Sequence, residues 1–273
     1  MQSIKFKAYG KINLYLSVGD KRADGFHEVE TVMQKATVYD VITISKSEEK
    51  GIRLTSDGAD FPCDETNLIY KAIVKLHEAI GTPIESLDHG YTADVEKHIP
   101  IAGGMGGGSA DAGYTLKHLN EALGSPLTID ALQKIATELG SDVPFFIYGS
   151  DTMLATGRGE ILTECPTLPP CRMEFRSCGK KPSTGAMFAE LDRRREIENS
   201  ADIIPLKNVL DALQRGNLRE ICENTFNSFE TVFRSQNEIC DGEFKRISED
   251  MINRGALCVL LCGSGPTVCG IFE

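Results

Sequence analysis

The chain has 273 residues, of which 41% are apolar, 25% charged and 7% aromatic, the profile of a globular protein with length enough to bury a core. Forty acidic side chains outweigh 29 lysines and arginines for a formal net charge of -11, which disfavours general nucleic-acid binding and still permits one local anion pocket. No run of about 18 apolar residues is available to span a membrane. Met1–Tyr9 lacks an apolar signal core, so a cytosolic protein is expected.

The elements follow in chain order. Ile12, Leu14, Leu16 and Val18 alternate with Asn13, Tyr15 and Ser17, the period of a half-buried strand, and Asp24-Gly25 marks a turn. Val38–Ser45 alternates again with β-branched residues and predicts a second strand. Asn67–Ile80 reads as a helix with Ile73, Leu76 and Ile80 on one face and Gly81 as its stop. Tyr91–Val95 predicts a strand. Next, Pro100–Ser109 leads into a helix opened by Ser109, with Ala112, Leu116, Leu119 and Leu123 on one face and Gly124 ending it.

Thr128 is placed to cap a helix carrying Leu132, Ile135 and Leu139, ended by Gly140. Pro166–Pro170 (PTLPP) is linker-like and a possible domain boundary. Helical segments follow near Leu206–Arg215 and Glu243–Arg254, then an apolar strand, Ala256–Leu261, running into Gly263-Ser-Gly-Pro-Thr267. The strands alternate in polarity, which favours α+β layers over a doubly wound parallel sheet. Nine cysteines without a C-x-x-C pair predict reduced, mostly buried thiols and no structural zinc.

Five of the six residues from Gly103 to Gly108 are glycine. Glycine lets backbone amides approach an anion, and the following helix adds unpaired N–H groups and a partial positive charge, so a phosphate chain is the expected occupant. The loop has no lysine, which excludes the G-x-x-x-x-G-K-[ST] ATPase loop, and the G-x-G-x-x-G fingerprint fails at Ser109. H-R-D and D-F-G of protein kinases are also missing.

Three segments resemble the motifs of the GHMP kinases, the superfamily of small-metabolite kinases. They are Lys11-Ile-Asn-Leu14, the P-x-x-x-G-x-G-G-G-S run Pro100–Ser109, and Cys262-Gly-Ser-Gly-Pro-Thr-Val268. Ala8–Asn13, Arg22–His27, Gly140–Phe146 and Gly157–Glu160 are similar to the branch that phosphorylates a cytidine diphosphate-linked methylerythritol in isoprenoid-precursor synthesis. Met105, Ala110 and Cys269 depart from the family's usual leucine, serine and aromatic residue; none of them removes a catalytic group.

The resemblance implies a two-domain α+β fold. Residues 1–160 would form the ATP-binding domain and residues 161–273 a ferredoxin-like C-terminal domain, with the active site in the cleft between them. It implies MgATP as co-substrate, magnesium held mainly through phosphates and no protein metal ligand. A small-molecule acceptor is the expected partner of a monomer or weak homodimer. Asp142 would be general base and Lys11 would assist it; read alone, these are a turn carboxylate and a solvated strand-edge cation. Nucleotide contacts would come from Asn67, Lys97, Gly104, Gly106, Gly107, Gly108 and Ser109. Substrate contacts would come from Asn13, Phe26, His27, Thr184, Phe188, Gly263, Ser264 and Gly265, with the two phenylalanines clamping the cytosine unless they are core residues. Kinases for mevalonate, homoserine or a sugar, the related diphosphomevalonate decarboxylase, and a catalytically silent nucleotide-binding protein are the alternatives.

Overall fold

A strand whose two faces are both covered needs apolar or paired side chains throughout, and the N-terminal strand has them. In the computed structural model, which describes residues 3–58, 60–197, 204–235 and 242–273, Asn13 and Tyr15 are as buried as Ile12 and Leu14. The expectation of a half-buried strand is therefore corrected here. Tyr15 packs its ring against that of Phe226 with centroids 5.5 Å apart and hydrogen-bonds Ser17 through its hydroxyl, and Asn13 uses its amide in hydrogen bonds inside the fold.

The elements in chain order begin with β1 (Ser3–Lys21), β2 (His27–Ser47), β3 (Ile52–Ser56), α1 (Leu68–Ala79), β4 (Gly90–Glu96) and α2 (Gly107–Ala122). They continue with α3 (Ile129–Leu139), a 3-10 turn (Val143–Phe146), β5 (Thr152–Thr156), β6 (Ile161–Glu164), β7 (Arg172–Ser177) and α4 (Thr184–Ile197). The remainder is α5 (Leu206–Arg215), α6 (Leu218–Glu223), β8 (Phe226–Asn227), α7 (Glu230–Ser235), α8 (Glu243–Asn253), β9 (Cys258–Leu261) and β10 (Thr267–Phe272). PTLPP falls in irregular chain between β6 and β7.

Two compact units share this chain. One comprises Met1–Gly10, Thr37–Ile101 and Gly106–Gly149; the other comprises Lys11–Ala36, Ala102–Met105 and Ser150–Glu273. In the first unit β4 pairs antiparallel with β2 (Ile42 opposite Val95, Ile44 opposite Ala93) and parallel with β3. Helices α1, α2 and α3 pack on one another, burying Ile69, Ile73 and Leu76 of α1 and Leu116 and Leu119 of α2. Caps set the helix limits. Asn67 Oδ1 accepts from Ile69 N at 2.8 Å, and Thr128 Oγ1 accepts from Ala131 N at 3.3 Å, as its position predicted.

In the second unit β5 pairs antiparallel with β2 and β6, and β8 joins β1 in parallel. A separate antiparallel sheet has the order β7-β10-β9, with α8 packed on β9 and β10. Its core gathers Met187 and Leu191 of α4, Phe229, Val232 and Phe233 around α7, Ile247 and Met251 of α8, and Leu261 and Val268 of the sheet. Both units are α+β, as expected. Of the eight described cysteines, Cys178, Cys222, Cys258, Cys262 and Cys269 are buried. Burial pushes the Cys262 thiol up to about 12.

Candidate active site

The glycine-rich segment begins in the second unit. Gly104 has φ +82°, and a Cβ there would lie 2.0 Å from the carbonyl oxygen of Cys262, so only glycine lets these two backbones touch. The segment is tied down by Lys11 N donating to Met105 O (2.9 Å) and Thr267 N donating to Gly103 O (3.2 Å), while the Met105 side chain is fully buried.

In the first unit α2 starts at Gly107, two residues earlier than Ser109 had suggested. Gly106 is the N-cap in the left-handed region at φ +68°, and no side chain caps the helix. A Cβ on Gly107 would stand 3.0 Å from Ile99 Cγ2, so close packing favours glycine where helix propensity does not. The leading amides of any helix lack intrahelical acceptors, and here Gly107, Gly108 and Ser109 present them without a side-chain cap. Leu68, beside Asn67, lies 3.8 Å from where a Cβ on Gly108 would sit. Both ends of the Asn67 amide are engaged locally, Nδ2 donating to Pro62 O at 2.7 Å.

Lys97 is buried, not extended toward solvent. Its ammonium donates to Asp40 Oδ2 and, at 2.8 Å, to Asp111 Oδ2 of α2. Burial alone would lower its pKa, but the two carboxylates outweigh that and raise it. Burial, reinforced by Asp40 and opposed by Lys97, pushes Asp111 up to about 7. Asp40 and Asp111 escaped the sequence reading. The signal was present for Asp40, which shares strand parity with Ile42 and Ile44 and so points the way they do, inward.

Asp142 is the N-cap of the 3-10 turn Val143–Phe146, and its side chain does not cap that turn. Gly113 of α2 brings the turn close, since a Cβ there would meet Phe146 Cβ at 2.7 Å and Val143 O at 3.0 Å. Gly113, also missed in sequence, thus lets the turn that follows Asp142 sit close against α2 of its own unit.

In the second unit Lys11 is 4% exposed, which removes the solvated strand-edge reading. Its Nζ donates to Asn13 Oδ1 at 2.9 Å; the same oxygen accepts from Gly263 N at 3.0 Å, and Asn13 Nδ2 donates to Thr31 Oγ1 at 2.8 Å. Asn227 Nδ2 donates to the carbonyls of Leu261 and Gly263, each at 2.8 Å, holding the Gly263–Gly265 loop from its other side. Lys11, Asn13, Gly263 and Gly104 therefore converge.

Phe26 is 51% exposed with the Arg158 guanidinium 4.8 Å from its ring centroid, so it is not a core residue. Phe188 is partly buried, stacked on His27 at 4.9 Å and edge-on to Phe229. His27 Nε2–H donates to the Asp192 carboxylate at 2.9 Å. Thr184 and Ser264 meet around Lys181, whose Nζ donates to their hydroxyls at 3.2 and 3.1 Å. Lys181 is a further residue the sequence reading passed over; burial lowers its pKa.

Residues 67–150 match the sequence model of the GHMP kinases N terminal domain. Among solved structures, L. major mevalonate kinase in complex with R-mevalonate aligns over 98% of this chain and 86% of its own with TM-score 0.72 at 15% identity, so the two share the GHMP kinase fold. A crystal structure of 4-(cytidine 5'-diphospho)-2C-methyl-D-erythritol kinase aligns over 99% of this chain and 90% of its own, with TM-score 0.77 and 30% identity. The 4-diphosphocytidyl-2-C-methyl-D-erythritol kinase of Caldicellulosiruptor bescii is 36% identical over 98% of this chain and 89% of its own length. That of Geobacillus kaustophilus is 38% identical over 99% and 88%. The chain belongs to the 4-diphosphocytidyl-2-C-methyl-D-erythritol kinase family, and so is an ATP-using phosphotransferase.

Proposed function

We propose that this chain transfers the γ-phosphoryl group of ATP to the 2-hydroxyl of 4-diphosphocytidyl-2-C-methyl-D-erythritol, in the methylerythritol phosphate route to isoprenoid precursors. The observation that carries the reading is the uncapped, glycine-built start of α2, in a chain similar over nearly its full length to relatives of that name. Asp142 accepts the proton of the attacking hydroxyl. Lys11, its ammonium oriented by Asn13, supplies positive charge to the transferring group. Phosphoryl transfer asks for positioning and charge stabilisation more than covalent help, and the amides of Gly104 and Gly106–Ser109 provide the positioning.

Magnesium enters with the nucleotide as MgATP, held mainly through the phosphates. The family's division, residues 1–160 for nucleotide binding and 161–273 for the C-terminal domain, is carried in this reading. No described helix is long and apolar enough to cross a membrane, and we place the enzyme in the cytoplasm as a monomer or weak homodimer.

Phe26 and Phe188 flank the cytosine, and His27 hydrogen-bonds its edge. Stacking on one aromatic ring is worth about 1–3 kcal/mol, so Phe26→Ala is expected to raise KM for the cytidine substrate by about 5- to 150-fold while KM for ATP holds. An equal rise in both constants would remove Phe26 from the clamp. The deciding experiment is a coupled ADP-release assay with MgATP and the cytidine compound, beside mevalonate, homoserine and galactose. ADP release with the cytidine compound alone is expected. Turnover of another acceptor instead would move the error to the cytosine clamp, and silence with all four would favour a nucleotide-binding protein without turnover.

A further inference from the structure

Buried beneath the start of α2 lies a cluster that the proposed chemistry does not use. Asp40, Lys97 and Asp111 have side chains 0%, 6% and 2% exposed, and one ammonium serves two carboxylates. The carboxylates are not equivalent. Asp40 Oδ1 accepts from the amides of His98 (2.6 Å) and Ile99 (2.8 Å), whereas Asp111 Oδ1 is buried with no hydrogen-bond partner. With Asp111 protonated the cluster is neutral; with Asp111 ionised it carries one buried net negative charge.

Its location gives that charge a consequence. Asp111 is on α2, four residues after Gly107, and Lys97 Nζ is 3.6 Å from where a Cβ on Gly107 would sit. Resting on the nucleotide-binding role given above, we propose that Asp111 is a positioning residue whose charge sets nucleotide affinity. With Lys97 and Asp40 it pins the first turns of α2, and in its ionised form it opposes the phosphates gathered at the amides in front of it.

The elements packed most closely against α2 are α1, α3 and the Val143–Phe146 turn. The charged groups that act on Asp111 most strongly are Lys97, from the segment after β4, and Asp40 of β2. The sign follows. Asp111 titrates at about 7 in the free protein, and bound phosphate raises that further, because a nearby anion disfavours ionisation. Nucleotide binding therefore takes up a proton near neutrality. Affinity is greatest below the free-state value, falls as pH rises toward the bound-state value, and levels off above it.

The test measures the Kd of a non-hydrolysable MgATP analogue by calorimetry for the native chain and Asp111→Asn, in buffers of different ionisation enthalpy. The nucleotide's own ionisation is common to both proteins and cancels in their ratio. The native Kd divided by that of the variant is expected to rise about tenfold between about pH 6 and about pH 8.5, with more proton uptake by the native chain than by the variant. A pH-independent ratio overturns the proposal and leaves the kinase reading intact, whereas a folded native chain that binds no nucleotide at any pH overturns both. Should Asp111→Asn not fold, Asp40→Asn decides, because removing the second carboxylate moves the native inflection to lower pH. An inflection that stays in place overturns the proposal.

Discussion

Asp142→Asn is expected to lower kcat by about 10²- to 10⁴-fold while KM for ATP and the thermal midpoint stay close to the native values. Asparagine keeps the volume of the side chain and removes its capacity to take a proton. Stability is expected to hold because the Asp142 carboxylate does not cap the 3-10 turn it precedes, and the turn is held by Gly113 of α2 and by the buried rings of Phe145 and Phe146. Steady-state kinetics with both substrates varied, beside a melting curve, separates the chemical step from binding and folding. Turnover of Asp142→Asn at the native rate would assign the proton to another acceptor.

Gly104→Ala is expected to destabilise the enzyme by about 2–5 kcal/mol and to abolish nucleotide binding. About 1–2 kcal/mol is the cost of a left-handed alanine, and about 1–3 kcal/mol comes from overpacking. The added Cβ would fall 2.0 Å from the Cys262 carbonyl oxygen and 3.0 Å from Gly265 N, both backbone atoms that no rotamer change moves aside. At about 2–4 °C per kcal/mol for a domain of this size, the melting midpoint drops by about 4–20 °C. Gly124→Ala is the control: it has φ +88° with nothing within 4 Å of the new Cβ, so only the backbone cost applies. Equal losses for the two variants would show that the contact between the Ala102–Met105 segment and the Cys262–Gly265 loop carries no energy.

Much of the fold was legible where a local rule operates. The cap at Thr128, the turn at Asp24-Gly25, the span of α5 and the strand at Tyr91–Val95 follow from side-chain period and turn chemistry, and each falls where expected within a residue or two. The start of α2 was misplaced because glycine is a poor helix former. The helix nonetheless begins at Gly107, where a Cβ would crowd Ile99 Cγ2 at 3.0 Å. The burial of β1 on both faces was illegible for a similar reason: alternation reports which residues are apolar, not how many layers cover them.

The sequence by itself determined the class of chemistry. The glycine-rich run and the Lys11 and Asp142 motifs lie within short windows, and it is their resemblance to one family's motifs that indicated that chemistry. Tertiary structure alone decided which of those groups are neutralised, oriented or left bare. Lys97, expected near the nucleotide, is held between Asp40, 57 residues away, and Asp111, 14 away. Asn13 orients Lys11 and grips Gly263, 250 residues along the chain. Periodicity and capping act over a few residues, whereas the desolvation and pairing that set a side chain's charge depend on neighbours brought together only when the chain folds.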